Sequence, residues 1–329
     1  MQSRRGLIAL ASGFGPLLAG FPSGRVEAQG GWNPNRPIRI VVPFAAGGST
    51  DVATRLVAEA LSTPLGQPVV VENRAGASGT IAAEHVAHSA PDGYSLIMAS
   101  ATTHAASPAL FRNLPYDPQR DFAAVSLVAY APNMLVVHPS VPARSIQELI
   151  AYAKANPGRL NYGTAGSGSS QHISAALFGY MAGIEMTHVP YRGGAPAVSD
   201  LLSGRVQLVF APVVEVLEPV RSGALVALGL TTARRIALLP AIPAIAEALP
   251  GYEVAGWVGL FAPAGTPPAA VDRLSRETAK VVRQPALRAR LAEIGFEAVG
   301  STSEEFATFQ AGEIPKWAEL VRISGATPG

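Results

Sequence analysis

Cysteine is absent from all 329 residues. That absence excludes disulfides, thiolate metal sites and cysteine nucleophiles. Charge is sparse as well, at 15% of residues and without a run of one sign, so nothing marks a surface for nucleic acid or an anionic membrane. The glycine-rich turns lack the lysine of a P-loop, the first predicted strand does not end in G-x-G-x-x-G, and no G-x-S-x-G elbow occurs. Nucleotide-binding and serine-hydrolase signatures are therefore missing.

What is present is an ordinary globular composition, 48% hydrophobic, with 33 glycines and 28 prolines spread along the chain. It is long enough for two domains and a substantial core. The first 28 residues stand apart: Arg4 and Arg5 precede an apolar run from Gly6 to Gly20, and Val26-Glu27-Ala28 ends in a small residue. This pattern predicts a signal peptide over residues 1–28, cut after Ala28, and Ser3-Arg4-Arg5-Gly6-Leu7-Ile8 partly matches a twin-arginine signal. The apolar run is broken by Gly13, Gly15, Pro16 and Gly20 and falls short of the roughly 20 residues that span a bilayer. Cleavage would lower the basic and acidic counts from 25 and 23 to 22 and 22, so the exported chain is close to neutral. Export without disulfides points to the bacterial periplasm.

From Arg36 onward, short apolar runs alternate with helical spacing, the signature of an α/β fold with mostly parallel sheets flanked by helices. Strands are expected at Ile38–Val42, Val69–Glu72, Ser95–Ala99, Met134–Val137, Leu160–Gly163, Val206–Phe210 and Leu225–Leu230. Ala53, Leu56, Val57, Ala60 and Leu61 form one apolar helical stripe. Ser145 with Glu148, and Thr302 with Glu305, have the spacing of capping boxes. Two extended segments, Val125–Pro139 and Glu253–Pro263, are punctuated by proline and glycine and read as hinges. On that reading residues 29–132 with 257–329 make one lobe, residues 133–256 the other, and a ligand binds in the cleft between them.

Four polar loops could face that cleft. The first, Pro43 to Asp51, joins a strand to a helix and carries Gly47-Gly48-Ser49-Thr50. A helix N-terminus leaves its first N–H groups unpartnered and bears about half a positive charge, so an anion can dock there without a cation. Tyr162 to Ser170 repeats the arrangement, which suggests a clamp for a dicarboxylate. Tyr191-Arg192-Gly193-Gly194 and Ser100-Ala101-Thr102-Thr103-His104 are the other two. Each loop alone fits a plain chain reversal better than a ligand site, and it is the coincidence of several that favours a site. Asp51 suits either ligand reading or closure of its own helix, and Arg192 either a ligand carboxylate or a local salt bridge.

His85 and His88 are three apart on a predicted helix but lack a carboxylate partner motif, so they read as surface residues, and no metal or cofactor is expected. His104 and His172 lie close to the loops and could donate to an anion, although a structural role is the default. A hydrolase built on Ser167, Ser169 or Ser170 with His172 is a poor prospect, because Ser170 and His172 are two apart on a turn and no third carboxylate is evident.

The chain resembles the Bug family, the extracytoplasmic solute receptors of tripartite tricarboxylate transporters. The resemblance rests on Arg36-Pro37-Ile38-Arg39-Ile40-Val41-Val42-Pro43-Phe44, Gly47-Gly48-Ser49-Thr50-Asp51, Gly66-Gln67-Pro68 through Glu72-Asn73-Arg74, Pro91-Asp92-Gly93-Tyr94 and Leu114-Pro115-Tyr116-Asp117. Ala151 to Gly158, His188 to Gly193 and Phe261 to Pro267 continue it in the same order. It implies a monomeric periplasmic binding protein of the type II arrangement, two lobes closing on a small mono-, di- or tricarboxylate that is passed to integral-membrane transporter subunits. It implies no enzymatic activity, and a sensor kinase is the other output such closure could serve. The implied contacts are Phe44, Gly48, Ser49, Thr50 and Asp51 from the first lobe, and Gly166, Ser169, Ser170, Gly193 and Gly194 from the second. Ser100, Thr102 and Thr103 join them as candidates. Ala211 is a further candidate contact; it stands where many members carry an aspartate, so a ligand amine pairing at that position is less expected.

Overall fold

The computed structural model describes residues 31–327 apart from Arg192 and Ala237. The expected signal peptide and Arg192 thus lie outside the described residues. From Trp32 onward the chain forms one unit by its contacts, and its described strands make two sheets.

The first sheet begins with β1 (Ile38–Val42), β2 (Val69–Asn73), β3 (Ser95–Ser100) and β4 (Phe122–Ala131). After Pro132 the chain enters the second sheet: β5 (Asn133–Val137), β6 (Asn161–Thr164), β7 (Thr187–Pro190), β8 (Leu208–Pro212) and β9 (Val226–Leu230). It then returns to the first sheet with β10 (Gly256–Pro263) and β11 (Glu297–Ala298). The strand orders are β11-β4-β10-β3-β1-β2 and β7-β6-β8-β5-β9. The helices are α1 (Ser49–Leu65), α2 (Thr80–Ala87), α3 (Ser107–Leu110), α4 (Ile146–Ala155), α5 (Ser170–Ala182), α6 (Gly194–Leu202), α7 (Val213–Arg221), α8 (Pro268–Val282), α9 (Pro285–Glu293) and α10 (Ser303–Ser324).

Successive side chains of a strand point to opposite faces, and here both faces are covered. Ile38 and Ile40 of β1 pack with Val57 and Leu61 of α1 and Leu274 of α8, while Val41, next along the strand and on its other face, joins a second core with Val86 of α2 and Phe261. In β5, Leu135 and Val137 face that same second core, whereas Met134 and Val136 pack with Leu201 of α6 and Val216 of α7. Coverage on both sides is why these strands read as unbroken apolar runs. The second core is shared by both sheets: Phe178 of α5 and Trp317, Leu320 and Val321 of α10 belong to it. Both predicted capping sites operate, since the Ser145 hydroxyl accepts from Glu148 N at 3.2 Å and Thr302 with Glu305 forms the reciprocal box. Glu148 reaches one residue further, to Arg144 N.

One expectation needs correction. The sheets are mixed, but antiparallel pairing is as prominent as parallel. Strand β1 runs parallel to β2 and β3, and β6 to β7 and β8, whereas β10 is antiparallel to β3 and β4, β11 to β4, and β5 to β8 and β9. Burial on both faces imposes the same apolar pattern in either direction, so strand direction left no mark. The segments read as hinges are the origin of those antiparallel pairs: Val125–Pro139 spans most of β4 and all of β5, and Glu253–Pro263 contains β10. Their glycines serve packing. A Cβ at Gly259 would collide with the Phe306 ring, and one at Gly256 would lie 2.8 Å from the Ala131 carbonyl oxygen.

Candidate functional site

A cavity of about 530 Å³ opens where the two sheets meet, within the range of small-molecule clefts. Its floor is the pair of crossings, Ala131 to Asn133 and Gly256 to Val258. The walls are loops that leave strand C-termini: after β1 and β3 on one side, after β6, β7 and β8 on the other.

Phe44, Gly48, Ser49 and Thr50 line the first wall, joined by Ser100 and Thr102. Gly48 is the N-cap of α1 and has no side-chain cap. Val52 N bonds to Gly48 O, and the N–H groups of Ser49 and Thr50 have no acceptor among the described residues. The wall opposite contains Ser169, Ser170, Gly193 and Gly194. Ser169 caps α5 by accepting from His172 N at 3.2 Å, which leaves the N–H groups of Ser170 and Gln171 in the same unpartnered condition. No lysine or arginine is among the described lining residues. The cavity therefore offers main-chain donors from two helix ends and several hydroxyls.

Four expected contacts lie elsewhere. Asp51 is buried and faces away from the cavity into its own loop, where it accepts from Gly47 N at 2.9 Å, Arg55 Nε at 3.0 Å and Asn73 Nδ2 at 2.9 Å. Burial pushes its carboxyl pKa up, but the hydrogen bonds from Arg55, Gly47 and Asn73 outweigh that and hold it below the usual aspartate range. Thr103 is fully buried behind Ser100, giving its hydroxyl to Ser100 O and accepting from Ser100 N, both at 3.1 Å. Gly166 makes the turn, with a positive φ of 119°, and its carbonyl receives the Ser169 hydroxyl at 2.7 Å. Ala211 faces the α6–α7 core, because alternation along β8 turns it inward.

Among the described residues, the second loop is braced without ion pairs. Ala165 N donates to Gln171 Oε1 at 2.6 Å, Gly168 N to His172 Nδ1 at 3.2 Å, and Thr164 Oγ1 lies 2.7 Å from His188 Nε2. The His172 and His188 rings stack at 4.0 Å and 6°. Burial, and then the neighbouring His188, press the His172 pKa down to about 4, and burial lowers that of His188. His104 is wholly buried against Phe261 and Phe122 at 4.5 Å from each ring, and burial lowers its pKa to about 3. Neither His104 nor His172 lines the cavity. Ser169 and His172 are committed to loop backbone, and Ser167 accepts from Thr327 N at 3.2 Å, so no serine–histidine pair is assembled there.

Sequence reasoning missed Asn133, Gln171, Glu215 and Trp257, all of which line the cavity. Asn133 Nδ2 approaches Ser170 Oγ at 3.3 Å and Ser174 Oγ at 3.4 Å. Trp257 is anchored from behind: its indole and that of Trp317 both donate to Glu313 Oε2, at 3.0 and 2.8 Å. The available signal was position, since Asn133 follows the proline between two apolar runs.

Two lobes with strand-to-helix loops and unpartnered main-chain donors facing one cleft define the class of a two-lobe solute-binding protein. Comparison with known proteins agrees: residues 53–325 match TctC, the tripartite tricarboxylate transporter family receptor. BugT of Bordetella pertussis is 39% identical over 295 residues, 89% of this chain and 90% of its own length. Rpa4515 of R. palustris, solved with adipate, superposes with a TM-score of 0.81 at 39% identity, covering 90% of this chain and 99% of that one. MatC of Rhodopseudomonas palustris, solved with bound malate, gives 0.75 at 35% identity, with coverage of 88% and 99%. The chain belongs to the tripartite tricarboxylate transporter receptor family, that of the Bug proteins.

Proposed function

We propose that this receptor is exported to the periplasm, binds a small carboxylate in the cleft between its lobes as a monomer, and delivers it to the membrane subunits of a tripartite tricarboxylate transporter. The observation that carries this reading is the opposition of two unpartnered sets of helix N-terminal donors, Ser49–Thr50 and Ser170–Gln171, across one cavity with no described cation on its walls. Such donors favour a carboxylate at each end of a short ligand. The adipate of Rpa4515 and the malate of MatC have that form. Asp51 acts as the brace of the first loop, and the lobes move about the crossings near 132/133 and 256/257. The protein binds without turning its ligand over.

Titration calorimetry of the exported form against mono-, di- and tricarboxylates tests the reading. Saturable binding of at least one member, with one site per chain and unchanged ligand recovered by mass spectrometry, is expected. Folded protein that binds none of them overturns it.

A further inference from the structure

Glu215 sits in the first turn of α7, directly after β8, and lines the cavity. It is the one ionisable side chain among the described lining residues. Its Oε2 is buried and has no hydrogen-bond partner. A buried carboxyl oxygen without a donor is costly, and proteins retain one only where something else satisfies it.

The surroundings place that oxygen in the cleft. The carboxyl lies against the backbone of Gly194, the first residue of α6. A Cβ at Gly194 would overlap Oε2 and stand 2.9 Å from both Glu215 Cδ and Gln171 Nε2. Glycine at 194 is thus what admits the carboxyl to the start of α6. The anion-favouring end of α6 is thereby already faced by the protein's own carboxyl, while the ends of α1 and α5 remain open. A ligand carboxylate placed beside Glu215 would bring two like charges together in a desolvated site. A ligand group that donates a hydrogen bond would complete it.

Resting on the receptor reading above, we propose that Glu215 is the specificity-determining residue of the cleft, selecting carboxylates that also carry a hydrogen-bond donor, a hydroxyl or an ammonium group, over the plain diacid of the same length. The carboxylates of the ligand occupy the ends of α1 and α5, and the donor meets Glu215 at the start of α6. Burial raises the Glu215 pKa, as a carboxyl still waiting for its donor requires.

Calorimetry at pH 7 with two matched sets tests this: succinate, malate and aspartate, and adipate, 2-hydroxyadipate and 2-aminoadipate. In the unaltered protein the hydroxyl or ammonium member of at least one set binds tenfold or more tighter than its plain diacid. Glu215→Leu, which removes the acceptor, abolishes that preference. Glu215→Gln distinguishes the two donors: a hydroxyl ligand loses less than threefold, because the amide carbonyl still accepts, whereas an ammonium ligand loses tenfold or more with the charge. Circular dichroism of both variants establishes that they are folded, and Gly194→Ala, which displaces the carboxyl, repeats the Glu215→Leu pattern independently. A plain diacid preferred by the unaltered protein, or a preference unchanged in both Glu215 variants, overturns the proposal while leaving the receptor reading intact. Absence of binding to any carboxylate overturns both.

Discussion

The loops after β1 and β6 present the same device, a glycine-bearing turn that leaves helix N–H groups free, yet they are held in shape by opposite means. The first is tied by a charge: Asp51 gathers Gly47, Arg55 and Asn73. The second is tied by neutral groups, namely the Ser169 cap, Gln171, Thr164 and two stacked histidines. The pair shows that the ligand-facing geometry is set by main chain, while the means of enforcing it is free to differ. It also shows that the two walls must respond differently to acid.

The sharpest way to break the first wall is Asp51→Ala. It strands the Gly47 amide and the Asn73 side chain, a loss of roughly 2–4 kcal/mol, with little of it from Arg55, whose side chain is half exposed. The urea midpoint is expected to fall accordingly, and carboxylate affinity by at least tenfold. Unchanged affinity in a folded Asp51→Ala protein would mean that the brace does not hold the site.

Acid should break the second wall first. The native state resists protonating His172 down to about pH 4, whereas the unfolded chain accepts that proton near 6.5. The unfolded state therefore binds more protons across that window, and stability declines as pH falls through it, at about 1.4 kcal/mol per unit for that residue. His188 adds in the same direction, as does His104 in the core down to about pH 3. Asp51, with its lowered pKa, keeps its contribution until pH drops below the ordinary aspartate value of 3.8. Denaturant titrations from pH 7 to 5 should become flatter in both His172→Phe and His104→Phe. Only the His172 variant should also alter the pH dependence of ligand affinity, because only His172 braces a wall.

The serines offer a finer contrast. Ser169→Ala removes an N-cap and is expected to cost about 1 kcal/mol of stability, whereas Ser49, which caps nothing, should change stability by less than about 0.5 kcal/mol when replaced by alanine. Thermal melts compare them directly. An equal loss in both would place a cap at α1 that the geometry lacks.

Much of this was legible in the residues. The strands at β1, β3, β5, β6 and β9 were expected within a few positions, because burial on both faces writes an apolar run. The turns at Gly48 and Ser169 announced themselves through glycine and hydroxyl residues ahead of apolar helices. The strand character of β10 was obscured by glycines, and their cause is tertiary: Phe306 arrives from α10, 47 positions away in the chain from Gly259. Glu215 was hidden for the same reason. Within Val213-Val214-Glu215-Val216-Leu217 it looks like any solvent-facing residue of an amphipathic helix, and only the approach of Gly194 from another helix turns it inward. Asp51 could be assigned to neither role, since Asn73, one of its partners, comes from β2.

On the proposed function, recognition by amide groups has a hereditary consequence. Codon changes alter side chains, but every residue other than proline keeps its N–H, so the donors at Ser49, Thr50, Ser170 and Gln171 survive almost any drift in these genes. A lineage can thus keep its grip on carboxylates while the few side chains around the cleft change which one it prefers. Relatives 35–39% identical to this chain include one solved with adipate and another solved with malate.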